Sequence, residues 1–303
     1  MGGQARQEAD QRGPQPVNMF ANWWKLAAAA AVGAALAAGQ TLPLEPRHDS
    51  GSAVTGAFEG WFKNADGTFS LLLGYFNRNT NQELDIPIGP NNRIEPGGPD
   101  RGQPTHFLPG RNWGLFTVKV PADFGDNKIT WTIVANGQTM VIPASLKVDY
   151  EISPFAEAAV GNSPPMLSFD EHGQTVQGPQ GLTVDRTAKA GTPFPLTVWA
   201  SDDAKLTTSS GAKPRNLSGP VVLTWSKYRG PGEVTFSKVK PDVEKIQRTD
   251  VQLAFTGKST TTATFSQPGE YMLNVTANDY SGEGGGGFQC CWTTAKLKVT
   301  VQP

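Results

Sequence analysis

Few residues in this chain have side chains suited to metal binding or nucleophilic chemistry. Its 303 residues include three histidines and two cysteines. Nothing of the form H-x-H or H-E-x-x-H occurs around His48, His106 or His172, so no pair of imidazoles is spaced to hold zinc. Asp170, Glu171 and His172 form the most metal-like cluster, but they stand in linker-like sequence, and zinc needs three or four convergent ligands. Asp202, Asp203 and Asp279 could converge on calcium at one end of a domain. Capping of loop backbones by the same carboxylates is the simpler expectation, and no metal or other cofactor is implied. Cys290 and Cys291 are adjacent, which excludes a CxxC redox motif or a zinc knuckle. They can close into a vicinal disulfide, remain two buried or half-buried thiols, or bridge to another chain. Neighbouring Cα atoms lie only ~3.8 Å apart, below the usual disulfide range, so ring strain favours the thiols. No G-x-S-x-G elbow, P-loop or dinucleotide fingerprint is present. Paired carboxylates for glycoside hydrolysis meet only in space and leave no spacing to read. The expectation is a protein that is not an enzyme.

Binding is the better prospect. Residues 89–112 (GPNNRIEPGGPDRGQPTHFLPGRN) read as one long irregular loop, and loops of this length are often functional. Its prolines favour a fixed shape. Arg93, Arg101 and Arg111 offer planar bidentate donors, with His106, Phe107 and Trp113 beside them, the Arg and aromatic pairing common at interface anchors. These six residues are the candidate protein-partner contacts. The alternative is a loop packed on its own domain. Trp61 and Trp131 could instead form a carbohydrate-stacking platform, although their alternation with neighbouring residues favours the core.

The elements that must position these residues are strands. Glycine (34) and proline (24) make up about a fifth of the chain, which argues against long helical bundles. Eight Trp and fifteen Phe beside 17% charged residues are enough for real cores. Residues 54–63, 68–77, 82–88, 113–121, 127–135 and 138–150 alternate with period two between turn residues, which predicts a β-sandwich over 54–150. Asn136-Gly137 is a strong hairpin signal. Phe116, Val118 and Val120 fall on one face of their strand, Leu115, Thr117 and Lys119 on the other. Residues 151–180 read as linker and entry strand, followed by strand patterns over 191–203, 221–237, 260–282 and 292–303.

The order of motifs in that second half is specific. Leu196, Val198, Ala200 and Asp202 are followed by Leu223-Thr224-Trp225, Gly230-Pro231-Gly232, Val234-Thr235-Phe236 and Ala263-Thr264-Phe265. Pro268-Gly269-Glu270-Tyr271, the run from Leu273 to Asp279, and the final Leu297 to Val301 complete the series. Together they resemble the PKD (polycystic kidney disease) family of immunoglobulin-like sandwiches, over residues 181–303. The resemblance implies protein–protein or protein–carbohydrate contacts at a cell surface. Independently of it, Trp225 is placed to fill a two-sheet core, and Tyr271 suits a corner where the phenol returns to backbone. The insertion at 203–219, the glycine-rich tip at 282–287 and the two cysteines depart from the family pattern.

At the N-terminus, residues 26–38 (LAAAAAVGAALAA) follow Lys25 and end in the A-x-A triplet Ala35-Leu36-Ala37, as a signal peptide read from Met19 would. Residues 1–40 are therefore expected to be a polar extension plus signal peptide, with the mature chain starting between Ala38 and Thr41 and an uncleaved anchor as the alternative. The apolar run is short for a bilayer span, so none is expected in the mature chain. The balance of 26 Lys+Arg against 27 Asp+Glu offers no footprint for nucleic acid. All this predicts an all-β, exported, periplasmic or cell-surface module of two immunoglobulin-like sandwiches that contacts a protein partner, with polysaccharide binding as the second reading.

Overall fold

A computed structural model describes residues 48–157, 161–205, 219–279 and 290–303. The signal-peptide segment, the body of the 203–219 insertion and the glycine-rich tip lie outside the described residues. The chain is all-β, with two sandwiches that belong to one compact unit.

The first sandwich holds β1 (Val54–Lys63), β2 (Phe69–Asn77), β3 (Leu84–Asp85), β4 (Asn92–Glu95), β5 (His106–Phe107), β6 (Gly110–Val120), β7 (Lys128–Ala135) and β8 (Gln138–Ser145). One sheet has the order β1-β2-β6 and the facing one β4-β7-β8, with β3 pairing β5 beside them. Alternation decides what is buried. Phe116, Val118 and Val120 point into the core while Lys119 is exposed. Trp131, fully buried, meets Phe116 edge-on at 5.2 Å and donates its indole N–H to Asn92 Oδ1 at 3.0 Å. Asn136 and Gly137 both take positive φ, 50° and 74°, as the two central residues of a type I′ hairpin turn must.

The second sandwich holds β9 (Met166–Ser168), β10 (Val176–Gln177), β11 (Thr183–Lys189), β12 (Phe194–Asp202), β13 (Val222–Arg229), β14 (Val234–Phe236), β15 (Glu244–Lys245), β16 (Phe255–Phe265), β17 (Gly269–Asn278) and β18 (Trp292–Gln302). Its sheets run β10-β9-β12-β16-β14, with β15 also on β16, and β11-β18-β17-β13. Placing β12 with β16 on one sheet, and β13, β17 and β18 on the other, is immunoglobulin-type order. Trp225 is buried at the centre between Phe169 and Phe236. The Tyr271 hydroxyl donates to the carbonyl of Gln267 at 2.9 Å, closing the corner before β17. The stretch read as linker and entry strand, 151–180, carries β9 and β10, which extend a sheet of this sandwich.

One expectation is corrected. Residues 89–112 are not a single irregular loop: β4 pairs β7 from Asn92↔Ile133 to Glu95↔Thr130, and β5 pairs β3. Ile94 is fully buried, and the buried Asn92 side chain donates to the carbonyls of Ile86 and Pro104. Proline and glycine on either side confine the strand to four residues, too few for a readable alternation.

Candidate functional site

The sandwiches meet along a cleft framed by three β-bulges. In β1 the register shifts between Phe58 and Gly60, leaving Glu59 unpaired. In β6 it shifts opposite Gly74 of β2, so Trp113, Gly114 and Leu115 bulge out of register there. In β13 it shifts between Lys227 and Arg229, which brings Arg229 to the same outer side as Ser226 and Tyr228. Bulges re-aim side chains in this way.

Tyr228 enters the core of the first sandwich, 1% exposed, and its hydroxyl donates to the carbonyl of Gly102. Arg229 grips Asp100 through both terminal nitrogens, at 2.9 and 2.8 Å, and donates from Nε to the carbonyl of Gln103 at 2.9 Å. That guanidinium holds the Asp100 carboxyl below its ordinary pKa. Lys227 donates to Asp85 at 3.0 Å, and His106 bridges Asp85 and Glu83 at 3.0 and 3.3 Å. The segment expected to meet a partner protein is thus bound by β13 of the same chain.

On the other side of this contact, Glu59 organises the mouth of the cleft. Its buried carboxylate accepts from Arg111 at 2.6 Å and from the Gly114 N–H at 2.7 Å. Burial pushes its pKa above the ordinary carboxylate value, against the opposing pull of Arg111 and of the Gly114 hydrogen bond. Gly74 makes room for it, since a Cβ there would stand 2.2 Å from Glu59 Oε1. Arg111, held also by the carbonyls of Tyr75 and Asn112, lies 4.0 Å over the Trp113 ring. Trp113 remains 42% exposed. Gly114, at φ +45°, lets Trp292 pack against the bulge, because a Cβ would come 2.1 Å from Trp292 Cζ2. The Trp292 indole N–H donates to the Gly114 carbonyl at 3.3 Å.

Behind Trp113 lies a cavity of about 160 Å³, walled by β6 on one side and by Thr224, Ser226, Asn274, Thr276 and Asn278 of β13 and β17 on the other. Leu108 and Ser226 separate it from a second cavity of about 550 Å³, which Glu83, Asp85, Glu233 and Val239 line. Asn274 is 1% exposed and donates to Thr276 Oγ1 at 3.1 Å. Asn274 Oδ1 and Thr224 Oγ1 have no hydrogen-bond partner among the described residues.

Of the six candidate contacts, Trp113 faces solvent and Arg111 stacks on it. Phe107 is fully buried against Tyr75 and His106 is 7% exposed, so neither is an open anchor. Arg93 pairs with Glu95 at 2.9 Å, and Arg101 donates to the carbonyls of Pro96 and Lys119. Trp61 and Trp131 are both core residues. Glu59, Gly74, Tyr228 and Asn274 were not singled out from the sequence. The legible signal was glycine inside alternating strands, FEGWF, LLLGYF and NWGLF, which marks bulges or close backbone approach.

Asp202, Asp203 and Asp279 gather at one end of the second sandwich. The Asp202 carboxyl accepts from the Ala204 N–H at 2.7 Å, Asp203 holds Ser163, and Asp279 accepts from Asn162 Nδ2. Among the described residues, no three His, Cys, Asp or Glu side chains come together as metal ligands. Burial first, then the charges of Asp279 and Asp203, push the Asp202 pKa up to about 7. Cys290 and Cys291 are joined in a vicinal disulfide, Cα atoms 3.7 Å apart, both buried beside the Asn162 carbonyl. Cys291 takes φ +86°, the backbone turn that accompanies this closure.

No helix among the described residues is long and apolar enough to cross a membrane. No family model and no curated protein matches the chain. Among solved structures, it is similar to a chain of the PbICP-C complex with falcipain-2 (15% identity, 41% of this chain and 90% of that one, TM-score 0.22). It is similar also to PapD-like domain 7 of human CEP192 (8% identity, 50% and 92%, TM-score 0.23). A third likeness is to domains 4 and 5 of the S-layer protein SbsC (14% identity, 83% and 98%, TM-score 0.20).

Proposed function

We propose that this chain is a non-catalytic exported module, periplasmic or at the bacterial cell surface, that presents two rigidly joined sandwiches to a protein partner. The observation that carries this reading is the joint itself. Tyr228 crosses from one sandwich into the core of the other while Arg229 and Lys227 pair with carboxylates on the far side. Such a joint suits a part that must hold two surfaces at a set distance. The motif order of the second sandwich, read as PKD-like, supports a surface role of this kind. Three of the large apolar residues exposed among the described residues, Val141, Val148 and Tyr150, fall within a short stretch of the first sandwich, at 54, 74 and 48% exposure. Apolar surface of this kind is what a partner would cover.

The test is site-specific photo-cross-linking in the producing bacterium, with the reactive residue at Val141 or at Tyr150 of the full chain. A discrete covalent adduct in the cell-envelope or secreted fraction is expected. Residence in the cytoplasm, or the absence of an adduct from both positions, would refute the reading.

A further inference from the structure

We infer that the cavity behind Trp113 is a subsite for one ring of a neutral polysaccharide chain, a second binding function independent of the protein contact proposed above. On β13 and β17, Thr224 stands opposite Thr276 and Ser226 opposite Asn274, with Asn278 at the end of the same row. Their alternating neighbours Leu223, Trp225, Leu273, Val275 and Ala277 fill the core of the second sandwich. The row is therefore the outer face of that sheet, turned to the first sandwich, and it is built of hydroxyls and amides without a carboxylate.

Two of its oxygens have no hydrogen-bond partner among the described residues. Asn274 is almost wholly buried with Oδ1 unpartnered, and Thr224 Oγ1 is likewise unpartnered. Buried polar atoms ordinarily have partners, and one left without is destabilising. A ligand that can satisfy these groups must offer neutral hydrogen-bonding groups at close spacing. Sugar hydroxyls, each donor and acceptor, match that requirement. The cations at the cavity are engaged within the chain: Arg111 with Glu59, Lys296 opposite Asn274 with the Leu115 carbonyl and the Tyr228 ring, and Lys240 on the lining also has a partner.

The mouth supplies the other half of sugar recognition, an aromatic face. Trp113 is 42% exposed, and it is held in place by the Glu59-stapled bulge and by Arg111 at 4.0 Å from the ring. Because Glu59 already satisfies Arg111, the arginine acts as a brace and not as a free charge seeking an anion. Phe76, 41% exposed, is the cross-strand neighbour of Arg111. It offers a second apolar platform outside the cavity, which is why the ligand is a chain and not a single sugar. An organised aromatic beside convergent neutral polar groups is the usual construction of a small-molecule site.

The test is affinity electrophoresis of the purified full chain in native gels containing hydroxyethyl cellulose, xylan, galactomannan or laminarin, with alginate as the acidic control. At least one neutral polymer is expected to retard the protein, and Trp113→Ala should weaken that binding about tenfold or more. Trp113→Phe should restore part of it, and Phe76→Ala should weaken retardation by the polymer while leaving binding of the matching monosaccharide, followed by tryptophan fluorescence, unchanged. Melting curves like that of the parent establish that each variant folds. No retardation by any neutral polymer, retardation by alginate alone, or equal retardation of the Trp113→Ala protein would overturn the inference. None of these outcomes touches the photo-cross-linking result, so the two readings fail separately.

Discussion

At Arg111 a guanidinium that reads from sequence as a surface anchor is fixed by Glu59 and by the carbonyls of Tyr75 and Asn112. Its removal would strand the buried Glu59 carboxylate, so Arg111→Ala should lower stability by on the order of 1–3 kcal/mol. Arg101 donates to two exposed carbonyls, and Arg101→Ala should cost no more than about 0.5 kcal/mol. Calorimetry of the two single variants separates them, and equal melting temperatures would show that Glu59 does not depend on its partner. Asp202 carries the clearest pH dependence. Its pKa is raised to about 7 in the folded chain, against about 3.9 in an unfolded one. Between those values the folded state holds the extra proton, so stability is greatest below pH 4 for this group and falls as pH rises to 7. Asp202→Asn keeps an oxygen for the Ala204 N–H and removes the charge. Melting temperature should then vary less between pH 5 and pH 8 than in the parent, and an unchanged slope would locate the pH dependence elsewhere.

At the scale of elements, β13 belongs to both sandwiches. Its core face holds Leu223 and Trp225 inside the second, and its outer face, on which Thr224 and Ser226 also lie, delivers Tyr228 to the first. Had the alternation continued without the extra residue, Tyr228 would still face the first sandwich with Thr224 and Ser226, but Arg229 would turn to the core face and lose Asp100. Tyr228→Ala removes a large buried side chain, at a cost of about 3–5 kcal/mol by analogy with other aromatics. Differential scanning calorimetry should then resolve two transitions where the parent shows one. A single transition in the variant would mean that Arg229 and Lys227 suffice to join the sandwiches.

For the whole molecule, the joint couples the two cores. Trp225→Ala should destabilise the second sandwich by about 3–5 kcal/mol. The first sandwich should feel the loss, because an unfolded β13 no longer supplies Tyr228 to its core or Arg229 to Asp100. Hydrogen exchange of amides in β7, far from the substitution in sequence, should accelerate in the variant. Unchanged protection there would show that the first sandwich stands alone.

The amino-acid sequence by itself determined the strands of long alternation, the Asn136-Gly137 hairpin, the core placement of Trp225 and the corner at Tyr271. Each is a local rule: period two sets the buried face, and positive φ at a two-residue turn selects Asn-Gly. The sequence carried a weaker trace of the site, the glycines 74 and 114, because a missing Cβ shows that something comes close without naming it. Only the tertiary structure decided that the something was Glu59 at one glycine and Trp292 at the other. It alone decided that the arginines of 89–112 would meet carboxylates and carbonyls within the chain, and that Cys290 and Cys291 would close on each other. Those outcomes depend on pairs separated by many tens of residues, such as Asp100 with Arg229, and no local period or propensity encodes which distant partner a long side chain will reach.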